Sequence, residues 1–314
     1  MTKATSMGVV PGLSGVDLLR RTHIADGHIG LARVLRNLQA RKMINKVTKE
    51  DVNAFIREGC GVCETAKMMR RSFTAKALLK DESKPPPGKK FVCDYLEFRV
   101  ITVQYGYVGM WRGVCAGTKF KVMFGMTDYT ADSVVLATDK LRALVRPIHG
   151  EIEKLQIDSH PSHKSKTVTD YTNTNNPTAF IKQLSPGYVH EGVGDAEVTF
   201  LHDVPSAMAL ILAAPDVDEK HMYAAMLTVQ FATNLAMSGD HDPPTSAYMR
   251  FKGLTESPKN PLSIFGSPAK ALIHPEQRGY SNFEKHAKPC VYMGPPHNSN
   301  SWSHAAVWEG KLLL

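Results

Sequence analysis

Four side chains able to hold a soft divalent metal fall in one ordered array near the start of this chain. His23 and His28 stand four residues apart in "HIADGH", and Cys60 and Cys63 two apart in "EGCGVCETAK", giving H-x4-H-x31-C-x2-C. Zinc in a structural site takes four nitrogen or sulfur ligands in a tetrahedron, and two imidazoles with two thiolates satisfy it. The other reading is two unrelated histidines among 13 and a stray cysteine pair. A redox role for the pair is the weaker alternative, because the cysteines follow a helix-ending glycine and not the strand of a βαβ unit. A zinc hydrolase is set aside, since four protein ligands leave no open position.

Two carboxylates also occupy positions where an idle acid is costly. Asp94 sits inside the predicted strand "KFVCDYLEFRV" (90–100), where an inward polar group needs a use or a partner. Asp158 ends the predicted strand "KLQID" (154–158), at the carboxyl edge where open α/β sheets place their ligands. Taken singly, each has a plain reading, Asp94 as an edge-strand surface residue and Asp158 as a turn former. Asp128, in "MTDYTAD", reads as a turn residue, and His160 and His163 as loop residues.

The elements that must position these groups divide into three blocks. "LLKDESKPPPGKK" holds three consecutive prolines, so 78–90 reads as a linker. A second polar break spans 237–261, leaving blocks at 15–77, 91–236 and 262–314. In the first block Leu31, Val34, Leu35 and Leu38 form the stripe of an amphipathic helix. "TKED" then supplies a capping box at Thr48 and Asp51, Val52, Phe55 and Ile56 a buried face, and Gly59 a stop. In the second block "KFKVMFGMTD" (119–128) and "SVVLAT" (133–138) read as strands, and "DKLRALVRPIH" and "PTAFIKQLS" as helices. That mixture argues for an α/β sheet flanked by helices. The third block shows only β signals and fits a small barrel.

Charge separates the blocks as well. Residues 1–90 carry 18 Lys+Arg against 8 Asp+Glu, while the remaining 224 carry 20 against 22. A concentrated positive balance suits a polyanion such as nucleic acid, or a merely solvated face. The longest apolar run, "AMALILAA" at 207–214, is far short of the ~20 residues of a membrane helix. No signal peptide is visible, and five cysteines, an odd number, point to a reducing compartment. The expectation is a soluble intracellular protein.

The ordered set of motifs resembles the integrases of copia-type long-terminal-repeat retrotransposons, within the retroviral integrase superfamily. The His/Cys array followed by the basic "KMMRRSF" resembles the zinc-binding N-terminal domain. "FVCDYLEF" resembles the first catalytic strand, "VMFGMTDYTADSVV" the following hairpin and "KLQIDS" the strand of the second aspartate. "SPGYVHEGVGDAE" resembles the segment ending in the catalytic glutamate, and "PLSIFGSPAKALIHPEQRGYSNFEKHAKPCVYMGPP" the small β-barrel beyond the core. Coverage runs from about residue 20 to 310 in family order.

The resemblance implies an RNase H-like catalytic core between a helical zinc domain and a small C-terminal β-barrel. It implies Zn²⁺ on His23, His28, Cys60 and Cys63, and Mg²⁺ or Mn²⁺ on Asp94, Asp158 and Glu197. The third carboxylate is open: 38 residues separate Asp158 from Glu197, and Glu191, with 32 between, competes. Two departures stand out, "DSHPSH" where the family has Asp-Asn-Gly, and Val193-Gly194 where it has Asn-Gly. The implied activity is 3′-end processing and joining of element DNA to target DNA by two-metal transesterification. The alternative is a catalytically inactive, integrase-derived protein that binds zinc and DNA. Implied partners are double-stranded DNA and further copies of the chain, with no membrane. The implied place of action is the nucleus, after a cytoplasmic particle.

Overall fold

The computed structural model describes residues 13, 15–66, 85–102, 106–157, 161–174, 181–184, 194–239, 244–256, 263–272, 287–295, 306–308 and 311–313. Arg70, Arg71, Asp158, His160 and Glu191 lie outside the described residues, as does most of the 78–90 stretch.

The first block is helical. Helices α1 (Gly15–Ala25), α2 (Leu31–Ala40) and α3 (Lys49–Glu58) enclose a core of Leu18, Leu19, Ile29, Val34, Leu38 and Phe55, and a short α4 (Gly61–Ala66) follows. The α2 stripe buries Val34 and Leu38. On α3 only Phe55 is fully buried, and Ile56, expected inside, is 61% exposed. It lies one position round the helix from Phe55, so the narrow core is closed before it is reached.

The expected capping box is present. The Asp51 amide donates to the Thr48 hydroxyl, and the Thr48 amide donates to the Asp51 carboxylate. Those hydrogen bonds, the backbone one first, hold the Asp51 carboxyl below the ordinary aspartate range. Its contribution is therefore present above ~3.9 and fades as pH falls through the lowered folded value. Thr48→Ala is expected to destabilise the chain by ~1 kcal/mol at neutral pH, the usual cost of deleting an N-cap. In chemical denaturation the gap between wild type and variant should narrow on acidification below about pH 4.

The middle block is a mixed α/β sheet flanked by helices. Strands β1 (Lys90–Glu97), β2 (Gly109–Cys115), β3 (Lys121–Met126), β4 (Lys154–Ile157) and β5 (Ile181–Leu184) lie in the order β3-β2-β1-β4-β5. The first three form an antiparallel meander, and β4 and β5 run parallel to β1. Helix α5 (Ala131–His149) covers one face with Ala137, Leu141 and Val145. Helices α6 (Pro161–Lys164) and α7 (Lys166–Thr174) link β4 to β5. Helices α8 (Gly194–Leu212) and α9 (Met222–Leu235) cover the other face, packing on Met110, Met123 and Phe98.

Two expectations are corrected here. "SVVLAT" is no strand but the first turns of α5. The Thr130 hydroxyl caps that helix by accepting from the Ser133 amide, and the Asp128 carboxylate accepts from Thr130 and Ser133. The helical spacing of Val134, Ala137, Thr138, Leu141 and Val145 then overrides the β-branched run. "PTAFIKQLS" supplies no helix among its described residues; its "IKQL" is β5, paired in parallel with β4. The ladder of β4 satisfies its backbone better than four isolated residues of helix would.

Beyond α9, β6 (Met237–Ser238), β7 (Thr245–Ser246) and α10 (Ala247–Lys252) fall within 237–261, and Phe251 is buried against Phe91 and Phe120. In the third block β8 (Pro268–Leu272), β9 (Ala287–Tyr292), β10 (Ala306–Trp308) and β11 (Lys311–Leu313) form an antiparallel sheet in sequence order. The described residues show this sheet and not its closure into the expected barrel. No helix among the described residues is long and apolar enough to cross a membrane.

Candidate metal centre and carboxylate site

The His/Cys spacing is explained by how α1 ends. The Gly27 amide donates to the Ile24 carbonyl (3.0 Å) and the His28 amide to the His23 carbonyl (2.7 Å). This is the Schellman motif, with Gly27 in the left-handed region (φ +78°). That motif brings the side chains at its two ends together, and here an apolar contact is replaced by two imidazoles, 4.9 Å apart. An H-x4-H pair straddling a glycine-capped helix end is thus a preformed half-site. The other half comes from the chain leaving α3 at Gly59, which turns at φ +65° and delivers Cys60 and Cys63.

All four ligand atoms lie within 4.8 Å of one another. His23 Nε2 is 3.2 Å from His28 Nδ1 and 3.3 Å from Cys63 Sγ, and His28 Nδ1 is 3.2 Å from Cys63 Sγ and 3.6 Å from Cys60 Sγ. A tetrahedral zinc with bonds of ~2.0–2.3 Å sets its ligand atoms roughly 3.3–3.8 Å apart, so the cluster fits. His23 Nδ1 donates to the Ile29 carbonyl (2.7 Å). A carbonyl only accepts, so the proton sits on Nδ1 and the Nε2 lone pair faces the cluster, as a ligand requires. The turn is braced from behind: the buried Asp26 accepts from Asn37 (2.8 Å) and Arg41 (2.7 Å). Asn37 in turn accepts from the Met237 amide and Arg36 donates to the Met237 carbonyl, tying block one to the chain after α9. Helix α4 also packs on α8.

Asp94 lies on the central strand and is half-buried. Its cross-strand partner on β2 is Arg112, so both side chains share a face. Alternation along β1 sends Phe91, Cys93 and Tyr95 toward α5, and Asp94 and Leu96 toward α8 and α9. On the parallel side the last pair of the β1–β4 ladder is Cys93↔Ile157. Asp94 is the next residue of β1 after this pair; Asp158, next in sequence after Ile157, lies outside the described residues. Glu197 is in the first turn of α8; its side chain is not among those described.

Several residues around Asp94 have no signal in the sequence. Arg112 is fully buried, its guanidinium 3.0 Å from Asp203 of α8 and its carbon 4.0 Å from the Phe200 ring centroid. Lys121 of β3 holds the same carboxylate at 2.9 and 3.0 Å. Burial lowers the Arg112 pKa to about 10, opposed by Asp203 and then Asp94, so it stays charged at neutral pH. His163, expected in a loop, is buried on α6 and stacks on Tyr95 (4.7 Å, 4°). Ser162 beside it donates to the Tyr129 carbonyl. Asp128 is a turn former, as expected.

No family model matches the chain, and no curated protein matches it. Among solved structures, the catalytic core domain of BIV integrase superposes with TM-score 0.39 at 14% identity, over 52% of this chain and 93% of that one. The HTLV-2 integrase catalytic core domain, in complex with magnesium, gives 0.38 at 10% identity, over 54% of this chain and 99% of that one.

Proposed function

We propose that this chain is an integrase-type DNA strand transferase of copia-like lineage, which processes a 3′ end and joins it to target DNA. The observation that carries the reading is the Cys93↔Ile157 register. Asp94 directly follows Cys93 in β1, and Asp158 directly follows Ile157 in sequence, so this register supports the reading that the two acids serve one site. Helix α8, bearing Glu197, packs on β1 and β2 over the same face. Asp94, Asp158 and Glu197 would hold Mg²⁺ or Mn²⁺, which when bound activates the attacking hydroxyl and stabilises the leaving oxygen. The oxygen of a DNA 3′-hydroxyl then attacks phosphorus in line as the opposite P–O bond breaks. The protein's own part would be placement: one carboxylate on the central strand, one next in sequence after β4, one on a helix that packs on β1 and β2.

His23, His28, Cys60 and Cys63 would hold Zn²⁺ as a structural staple for block one. The positive balance of residues 1–90 supports duplex DNA as partner, with action in the nucleus following a cytoplasmic particle, and assembly with further copies of the chain. The domain limits 15–77, 91–236 and 262–314, with a closed barrel in the last, belong to the same reading.

A second reading, a domesticated binding protein without chemistry, is favoured by one observation. Pro161 opens α6 three residues after Asp158, and the neighbouring His163 is buried on Tyr95, where the family resemblance calls for an Asn-Gly turn. Joining of a labelled oligonucleotide duplex in Mg²⁺ or Mn²⁺ separates the two. Joined products support the enzyme; bound but unjoined DNA in both metals supports the binding protein.

A further inference from the structure

We propose that Arg112 and Asp203 are positioning residues for the carboxylate site, fixing α8, which bears Glu197, over the strand that bears Asp94. The inference rests on the carboxylate reading above and adds to it the device that holds the third ligand in place.

The surroundings make the pair unusual. The face between the sheet and α8 and α9 is mostly apolar, built from Met110, Met123, Phe200, Leu210, Tyr223 and Met226, with Lys121 and Asn234 as further polar members. A fully buried ion pair in such a layer is seldom more stabilising than apolar residues of the same volume. What it supplies is direction. The Arg112 backbone is fixed in β2 directly opposite Asp94. Its guanidinium meets α8 twice, at the Phe200 ring (4.0 Å) and at the Asp203 carboxylate (3.0 Å). Those two residues are three apart, on one face of the helix, and Glu197 precedes Phe200 by three more. Asp203 is also held from the edge strand by Lys121 (2.9 Å). A slip of α8 by one residue moves it ~1.5 Å along its axis and turns it ~100°, which breaks all three contacts. An apolar layer would tolerate much of that slip. The same guanidinium lies close enough to Asp94 to be attracted by it, so one cation sits between the strand carboxylate and the helix.

The test reads metal binding and not joining. Zinc-loaded chain is titrated with Mn²⁺, and the rise in Tm is followed for wild type, Asp94→Asn, Asp203→Asn and Phe200→Leu. Each variant is compared with its own Mn²⁺-free Tm, so a purely structural loss lowers the starting point and leaves the Mn²⁺ response intact. The expected result is a wild-type response that Asp94→Asn removes. Asp203→Asn should then raise the half-saturating Mn²⁺ concentration about 10–100-fold, the range found when a partner behind a metal ligand is lost. Phe200→Leu keeps the ion pair and most of the apolar volume while removing the ring, and should raise it at least about threefold; it carries the test alone if Asp203→Asn does not fold. Unchanged half-saturation in a folded variant, beside an Asp94-dependent wild-type response, overturns the positioning role and leaves the carboxylate reading standing. A wild type with no Asp94-dependent response overturns both.

Discussion

Stripping the metal from His23, His28, Cys60 and Cys63 is expected to unfold residues 20–75 while the central sheet stays folded. The core cluster of block one has six buried apolar side chains, on α1, α2, α3 and the turn between α1 and α2. So small a core does not meet the entropy of ordering the block unaided. A structural zinc contributes on the order of 10 kcal/mol to folding at neutral pH. The half-site at the end of α1 is held by its backbone hydrogen bonds and by Asp26, while the end of α3 that leads to Cys60 and Cys63 is tied to α1 by the Arg20–Glu58 ion pair and the His23–Phe55 ring contact, neither of which involves a thiol. Hydrogen exchange with and without chelator reads the outcome segment by segment. Amides of α1 to α3 should lose protection and those of β1 to β3 should keep it. Cys63→Ser should reproduce the effect without chelator. A block one that stays protected in the metal-free chain would remove the structural role of the site.

Removing any one of Asp94, Asp158 and Glu197 as Asn or Gln is expected to cut strand joining by ~10³-fold or more, the order lost with a preorganised partner of the transition state. Folding should barely suffer. Acids brought together without metal repel one another, so neutralising one of them relieves the metal-free chain and can raise its Tm. That opposite movement of activity and stability is the signature of a metal-binding cluster. A structural Asp would lower both. Asp94 makes the cleanest variant, because its strand is paired on both sides and Asn keeps an oxygen that can accept from the Tyr95 amide as the carboxylate does (2.8 Å). Full joining by Asp158→Asn would mean that the second carboxylate is misassigned, and full joining by Glu197→Gln would turn attention to Glu191.

Local chemistry made the first block legible. The capping box, the α2 stripe and the glycine stop are contacts within a few residues, and the His/Cys spacing follows from one helix end and one turn. Strands β1, β3 and β4 were legible for the same reason, being short alternating or apolar runs. Strand β2 was not. Its "GMWRGVC" carries two glycines and an arginine, and it is a fully buried strand only because Asp203 and Phe200, some 90 residues on, neutralise and cover Arg112. Helix α5 was misread at its start because β-branched residues outweigh a cap whose strength lies in Asp128 accepting from Thr130 and Ser133. Strand β5 was misread because four residues acquire their state from the β4 ladder and not from their own pattern. Of the candidate site, Asp94 and Asp158 stand out in the sequence by strand position and Glu197 only by resemblance, while the buried Arg112–Asp203–Lys121 cluster and the His163–Tyr95 stack are products of tertiary distance alone.

Anomalous scattering from crystals grown with Mn²⁺ tests the central claim most directly. Two manganese peaks ~4 Å apart are expected beside Asp94 on β1 and the first turn of α8, with oxygens of Asp94, Asp158 and Glu197 as the protein ligands. Crystals of Asp94→Asn should lose both. Manganese absent from that place at saturating concentration, or held there without Asp94, would contradict the claim.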